Sequence, residues 1–447
     1  MSPRRHSRSS RVPAGRLERL ARFGLLAGGL AAGGIAEGAR RAFGAGSTAA
    51  DVAGGVAGAF LSAANAERLA RRLSELRGAA MKLGQLLSLE GPEILPPEFA
   101  DALAVLRSDA DTMPASQLRR VLGREYGKGW EERFPDFDFE PVAAASIGQV
   151  HRVRAADGRD LALKIQYPGV ARSIESDVDN VAGLLRLARI LPVQIDVSGI
   201  VAEAKRQLRQ EADYLHEAAN LRRYRELLAN EAHVWVPGVH DDLTTRRILA
   251  MDWASGRPLE DLADPSTPQA LRDAAGLTLQ RLLFRELFVF RFVQTDPNPA
   301  NYVVDGDRLR LLDLGSTREY EPAFVASYAR LCRGIVAGDR DEVRAAAVAI
   351  GYLRDDDPEE RARAAVDLIF LVCEPFRHEG VYDFVRSSLP ARARDAGFDL
   401  AFRKGFLRAP PPETVFLHRK LVGTFLLCAR IRACVDVRRV LVPLLAS

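Results

Sequence analysis

The chain of 447 residues is long enough for two or three domains, and a composition of 47% hydrophobic and 27% charged residues is globular. A formal net charge of +4, with the basic excess gathered at the N-terminus, speaks against a nucleic-acid groove. Cys332, Cys373, Cys428 and Cys434 form no C-x-x-C pair and have no histidine at ligand spacing. That speaks against a zinc site or a disulfide framework and fits buried thiols in a reducing compartment.

The first segment, MSPRRHSRSSRVPAGR, is rich in Arg and Ser and has no acids. It suits a disordered basic arm or an organelle transit segment. Arg4-Arg5 is not followed at the usual distance by the apolar stretch of an export signal. From Phe23 to Ala36 runs FGLLAGGLAAGGIA, about 14 residues and short of the roughly 20 that a membrane span needs. Its pairs Gly24/Gly28, Gly29/Gly33 and Gly34/Gly38 repeat the spacing that lets helices approach closely in lipid. Two readings stay open: a packed Gly/Ala helix in water, or a re-entrant, peripheral or dimer-forming helix at a membrane. The predicted division is a basic arm and apolar segment over 1–60, a helical extension over 61–130, a sheet-bearing part over 131–254 and a helical part over 255–447.

Asn65 to Leu89 reads as a long amphipathic helix, with Leu69, Leu73, Leu76, Ala80, Leu83 and Leu87 on one stripe. Lys82-Leu83-Gly84-Gln85 interrupts it. Lys82 and Gln85 share a face, and Gly84 costs about 1 kcal/mol of helix propensity, which suggests close approach of another backbone. Phe99–Leu106 and Ala115–Tyr126 continue as helices. The sheet is predicted to begin near Phe137. Val142–Arg154 reads as strand, small-residue turn and strand, and Asp157-Gly158 as a hairpin turn before Leu161–Ile165. A protein kinase opens this way, with a Gly-rich loop over the phosphates and then V-A-I-K, whose lysine binds the α- and β-phosphates. Here Lys164 stands in the lysine position, and the turn is Ala143, Ala144, Ala145 and Ser146, with Gly148 its one glycine. Alanine restricts φ where glycine does not, so a tighter phosphate loop is implied.

Ile200–Leu228 is predicted as one long helix carrying Glu203, Glu211, Asp213 and Glu217. At about 100° per residue, Asp213 and Glu217 share a face and Glu211 lies about 120° from Glu217. Glu217 would hold Lys164 while Glu211 and Asp213 meet another partner, with Lys82 the candidate. Pro237–Trp253 reads as strand-rich, and Met251-Asp252-Trp253-Ala254 sits where a kinase hinge would hold adenine. Phe292–Thr317, FVQTDPNPANYVVDGDRLRLLDLGST, holds Asp296, then Asn301, then Asp313 before Leu-Gly. Kinase chemistry uses those types in that order: an Asp for the attacking hydroxyl, an Asn for a second Mg²⁺ and a DFG-type Asp for Mg²⁺. Tyr302–Val304 and Leu309–Leu312 read as strands around Asp305-Gly306-Asp307, a turn that would set Asn301 beside Asp313. Pro410-Pro411-Pro412 marks a loop before closing helices.

Together LRGAAMKLGQLLS, PVAAASIGQVHRV, LALKIQYPGV, QEADYLHEAANLRRY, FVQTDPNPANY and LLDLGSTREY resemble the UbiB-type atypical kinases, the AarF/UbiB/ADCK family. Within it they resemble the branch tied to coenzyme Q biosynthesis. The resemblance covers roughly Arg16 to Val442. It implies an α+β, protein-kinase-like two-lobed fold with an N-terminal helical extension carrying the K-x-G-Q element, Lys82 and Gln85. It further implies that Glu211 and Asp213 form the E-x-D element that meets it. Lys164–Glu217 is the implied ion pair, Asp296 the catalytic-loop Asp, and Asn301 and Asp313 the metal ligands. Gln294, Thr295, Asn298 and Ala300 depart from the H-x-D-P-H-P-G-N of much of the family, in the manner of the coenzyme Q branch. The H-R-D arginine and the A-P-E segment of protein kinases are missing, which argues against phosphorylation of protein substrates.

The expected activity is a Mg²⁺-dependent ATPase or small-molecule kinase, using ATP or ADP and Mg²⁺, that supports ubiquinone or a related isoprenoid-quinone pathway. Its expected place is cytoplasmic or peripheral to a membrane, at a bacterial inner-membrane face or on the mitochondrial matrix side. Expected partners are anionic lipid or a quinone precursor, quinone-biosynthesis proteins and a second copy of the chain. Two rival readings are a nucleotide-binding pseudokinase scaffold and a lipid-extracting module gated by ATP.

Overall fold

A computed structural model describes residues 112–145, 147–187, 198–400 and 411–445. The helix predicted over Asn65–Leu89, the one over Phe99–Leu106, and the positions of Lys82, Gln85 and Ser146 lie outside the described residues. In chain order come α1 (Ala115–Tyr126), β1 (Ala143–Ala144), β2 (Gly148–Arg154), β3 (Asp160–Gln166), α2 (Val170–Leu187), α3 (Ser198–Glu211) and α4 (Tyr214–Leu227). Then follow β4 (Val234–Trp235), β5 (Ile248–Asp252), β6 (Arg257–Pro258), α5 (Gln269–Arg285), β7 (Phe292–Gln294), β8 (Tyr302–Asp305), β9 (Arg308–Leu311) and β10 (Thr317–Glu319). The chain closes with α6 (Pro322–Ala337), α7 (Arg340–Ile350), α8 (Glu359–Val372), α9 (Glu374–Arg377), β11 (Tyr382–Asp383), α10 (Leu389–Phe398), α11 (Pro412–Arg430), β12 (Cys434–Val435) and α12 (Val437–Leu441).

Two compact units result, and the boundary falls within α4, after Ala218. The first takes the described residues up to Ala218 and then Val239–Trp253; the second takes Ala219–Gly238 and the chain from Ala254. In the first unit the sheet order is β1-β2-β3-β5, antiparallel throughout. The β2–β3 turn follows from Gly158, whose φ of +92° is open to glycine at no steric cost. β3 is buried from Leu161 to Gln166, without the alternation of a one-sided strand, because it is an inner strand covered on both faces. Pro237–Trp253 is less strand-rich than predicted. Only Ile248–Asp252 joins the sheet, with a bridge from Val239 to Met251, and the residues between turn on Thr245, whose side chain accepts the Arg247 and Ile248 amides. Nor does Phe137 begin a strand: its ring stands edge-on to Trp130 at 5.4 Å, in an aromatic cluster beneath α1 with Phe134 and Phe139.

Gly148 is needed for room. A Cβ there would stand 2.5 Å from the Ile165 carbonyl oxygen of β3 and 2.8 Å from the Tyr214 hydroxyl of α4. The helix predicted from Ile200 to Leu228 is two helices, and its single-helix face argument fails with it. Ala212 and Asp213 break it. The Asp213 carboxylate accepts the His216 N–H at 3.1 Å, capping α4 in the way short acidic side chains favour. Gln166 donates to the Ala212 carbonyl at 3.0 Å and satisfies the end of α3.

In the second unit β8 and β9 form the predicted hairpin, registered Tyr302↔Leu311 to Asp305↔Arg308, with Gly306 at φ +61°. β4 adds to β9 in parallel and β6 to β8, giving the order β4-β9-β8-β6. β7 pairs with β10, and the core contributed by the helices from α5 onward includes Leu282, Leu283, Ile335 and Leu417. Short strands β6, β10, β11 and β12 interrupt a region that composition marked as helical apart from the hairpin. Cys332 and Cys428 are buried and Cys373 and Cys434 half-buried, all as free thiols. No helix among the described residues is long and apolar enough to cross a membrane.

His151, on β2, is fully buried. Its Nδ1 faces the Asp138 carbonyl at 3.0 Å and its Nε2 the Gln149 side-chain nitrogen at 2.8 Å, while Gln149 Oε1 accepts the Met113 N–H at 2.7 Å. That chain fixes the neutral tautomer with the proton on Nδ1, because a proton on Nε2 would oppose the Gln149 donor. Burial pushes the imidazole down from 6.5 to about 4 despite the raising effect of Asp138.

Two outcomes are expected. Gly148→Ala should lower stability by about 1–3 kcal/mol in urea unfolding, since backbone and a buried hydroxyl must give way; an unchanged midpoint contradicts this. As to pH, a histidine depressed in the folded state leaves stability full above its unfolded value and lost as pH falls toward about 4. The gap is worth roughly 3 kcal/mol. Thermal stability should decline from about pH 6.5 downward, and the His151 ring should stay neutral by NMR until near pH 4; titration at an ordinary value refutes it.

Candidate active site

In the first unit, Lys164 on β3 donates to both carboxylate oxygens of Glu217, at 2.8 and 2.9 Å. Glu217 is fully buried in the first turn of α4, Lys164 is 7% exposed, and the Tyr214 ring lies 5.4 Å from the ammonium. A buried ion pair is weak evidence for stability, since desolvation offsets much of its attraction. It does fix an ammonium at one place. The turn before β2 carries Ala143 and Ala144 on the exposed strand β1, and the Ala145 N–H bonds the Gly148 carbonyl at 2.8 Å. Met251 is buried on β5, opposite Ala162, and the Trp253 N–H bonds the Asp160 carbonyl at 3.1 Å. After Trp253 the chain leaves the first unit. Glu211 ends α3 and Asp213 caps α4, so the E-x-D pair flanks the helix break.

The second unit brings Asp296, Asn301 and Asp313 together. The Leu312 N–H donates to the Asn301 carbonyl at 2.9 Å, which extends the β8–β9 ladder by one pair and sets Asn301 next to Asp313. Asn298 caps the 3₁₀ turn Pro299–Asn301 by accepting the Ala300 N–H. The Asp296 carbonyl receives the Asn298 N–H at 2.8 Å, Gln294 Nε2 at 2.8 Å and Asn301 Nδ2 at 3.1 Å. With its amide nitrogen used there, Asn301 has Oδ1 as the atom suited to a cation. Asp313 Oδ1 accepts the Gly315 N–H at 2.9 Å. Leu314 is fully buried, and its carbonyl accepts from Asn220 of α4 at 2.9 Å. Thr295 ties the two loops from the other side, through its N–H to the Ser316 carbonyl at 2.9 Å and hydroxyl to hydroxyl at 2.8 Å.

Sequence reasoning noted Gln294 only as a departure from histidine; its partners show its work. Gln294 Oε1 accepts from Lys420 at 2.9 Å and from Tyr302 at 3.2 Å, which turns Nε2 toward the Asp296 and Asp313 carbonyls at 2.8 and 3.4 Å. Lys420, on α11, also pairs with the buried Glu286 at 3.0 Å, and Glu286 accepts the Tyr224 hydroxyl at 2.9 Å. Burial opposes the Lys420 ammonium, but Glu286 and Tyr302 outweigh it and hold its pKa above the ordinary lysine value. The neighbouring Arg419 contacts the Asp296 carboxylate. Neither residue carried a local signal, because each partner lies more than 120 positions away.

An Asn amide oxygen and an Asp carboxylate form an all-oxygen set, as Mg²⁺ requires. Two such ligands are also the usual number for Mg²⁺ that arrives with substrate phosphates and keeps waters. Among the described residues no cluster of three or more His, Cys, Asp or Glu could hold a metal independently.

Residues 105–347 match the family model described as the ABC1 atypical kinase-like domain. The chain is 38% identical over 434 residues to "Atypical kinase COQ8B, mitochondrial" of Rattus norvegicus, covering 97% of this chain and 81% of that protein. It is 35% identical to "Atypical kinase COQ8, mitochondrial" of Saccharomyces cerevisiae, covering 96% and 84%, and 37% identical to the coq-8 kinase of Caenorhabditis elegans, of which it spans 57%. Among solved structures, the Rv3197–erythromycin complex of Mycobacterium tuberculosis superposes with a TM-score of 0.59 at 26% identity, over 82% of this chain and 92% of that one. The fold is thus kinase-like, and the chain belongs to the ABC1 atypical kinase family.

Proposed function

We propose that the chain is a Mg²⁺-dependent ATPase or small-molecule kinase acting in isoprenoid-quinone biosynthesis at a membrane surface. The observation that carries the catalytic part is the hydrogen-bonded frame of Asp296, Asn301 and Asp313. In it the Asp296 carbonyl accepts from the Asn301 and Gln294 side chains, Gln294 also reaches the Asp313 carbonyl, and the Asn301 carbonyl is held by the Leu312 N–H. Phosphoryl transfer asks little covalent chemistry of a protein and much positioning, so a frame of this kind matches what the reaction needs.

In this reading Lys164, held by Glu217, neutralises the α- and β-phosphates of ATP, and the turn from Ala143 through Ser146 to Gly148 lies along them. The backbone at Met251 and Trp253 receives adenine. Asn301 Oδ1 and the Asp313 carboxylate hold Mg²⁺, which when bound offsets the charge of the phosphates. Asp296 orients the acceptor hydroxyl or water. Lys82 and Gln85 control access with Glu211 and Asp213, and the helical extension over 61–130 is the element that carries them. The names of the relatives, COQ8 and mitochondrial, support the quinone pathway and a matrix-side location. The membrane surface rests on Phe23–Ala36, whose glycine spacing suits lipid contact.

Phosphate release from ATP by the purified chain tests this, with Mg²⁺, with and without anionic vesicles and a phenolic quinone precursor. Turnover should require Mg²⁺, and Asp313→Asn should lower it by roughly 10²-fold or more, the scale for removing one preorganised charge-stabilising group. ATP binding without turnover in any of these conditions contradicts the catalytic reading and favours the pseudokinase scaffold.

A further inference from the structure

α11 meets the loop of Asp296 at three places. Arg419 Nη2 bonds Asp296 Oδ1 at 2.5 Å, with the Arg419 side chain 8% exposed and that of Asp296 20%. The next residue, Lys420, bonds Gln294 Oε1, two residues before Asp296. Gly423, one turn beyond Arg419 on the same face, lies so close to Pro297 that an added Cβ would overlap the ring. The helix is therefore seated on the loop from Gln294 to Pro297, and the carboxylate of Asp296 takes its direction from a side chain 123 positions further on. A guanidinium is a rigid, planar donor that fixes the direction of a carboxylate better than a flexible ammonium does. Kinase catalytic loops of the H-R-D-x-x-x-x-N type carry an arginine beside the Asp, and this chain has Thr295 there.

We infer that Arg419 is a positioning residue for phosphoryl transfer: through Oδ1 it fixes the direction in which the Asp296 carboxylate meets the acceptor. The inference rests on the role given to Asp296 above. It assigns Arg419 no contact with nucleotide, so its loss should affect turnover and spare binding. Arg419 acts through Asp296, so its effect should vanish when Asp296 can no longer act.

A double-mutant cycle on the full-length chain tests both statements. ATP turnover and ATP affinity would be measured for wild type, Arg419→Gln, Arg419→Lys, Asp296→Asn and the Arg419→Gln/Asp296→Asn double variant. Arg419→Gln should lower kcat by about 10- to 100-fold, as expected for a misplaced catalytic group, while ATP affinity stays within about twofold. Arg419→Lys should recover part of the loss, since it restores the charge without the fork. In the Asp296→Asn background, Arg419→Gln should cost nothing further. The inference is overturned if Arg419→Gln turns over at the wild-type rate, weakens ATP binding instead, or costs the same in both backgrounds. Should Arg419→Gln fail to fold, Arg419→Lys decides by the same cycle. An Asp296→Asn variant as active as wild type would instead sink the role given to Asp296 under the proposed function.

Discussion

Gln294 makes four hydrogen bonds from a side chain that is almost wholly buried, and the arrangement of the second unit's chemistry follows from them. Its oxygen is claimed by Lys420 and Tyr302, so its nitrogen has to face the carbonyls of Asp296 and Asp313. One amide thereby ties the loop of Asp296 to the loop of Asp313. Inside a low-dielectric core such a network is strong when every member is satisfied and costly when one is not. Lys420 and Glu286 supply the charge that holds the amide in this orientation, and breaking a buried pair of that kind costs about 3–5 kcal/mol. The stability invested there is returned as fixed geometry at Asp296, Asn301 and Asp313.

The first unit applies the same logic with fewer parts. Lys164 is fixed by both oxygens of Glu217, and Glu217 is fixed because α4 starts where Asp213 caps it. Gly148 lets β2 come close to β3 and to Tyr214, in the first turn of the helix that carries Glu217. A break in the helix and a glycine in the strand thus serve one purpose, to place an ammonium. Both units spend burial and backbone constraint on holding a charged group still, which is what a reaction governed by positioning demands.

Much of this was legible in the sequence where the signal is local. Asp305-Gly306 and Asp157-Gly158 marked two hairpins that the structure contains, and the helix expected over Ala115–Tyr126 is α1. The family could be read from clustered motifs for the same reason, because each motif is a short stretch whose residues act together. The break at Asp213 was missed because periodicity alone runs through it, although an Asp three residues before His216 is a cap signal. Arg419 and Lys420 could not be found in that way. Their positions on a helix show only that they are basic, and their partners come from a chain segment more than 120 residues earlier. Gln294 illustrates the limit most clearly: the substitution of histidine was visible, but its meaning depends on a lysine that local pattern cannot connect to it.

The measurement that tests the central claim most directly is the affinity of the full chain for ATP with and without Mg²⁺, by titration calorimetry, beside Asn301→Ala. If Asn301 Oδ1 and Asp313 hold Mg²⁺ with the nucleotide, Mg²⁺ should tighten ATP binding by about tenfold or more, equivalent to 1.4 kcal/mol, and Asn301→Ala should remove most of that gain. ATP binding indifferent to Mg²⁺, or a gain that survives Asn301→Ala unchanged, would contradict the account.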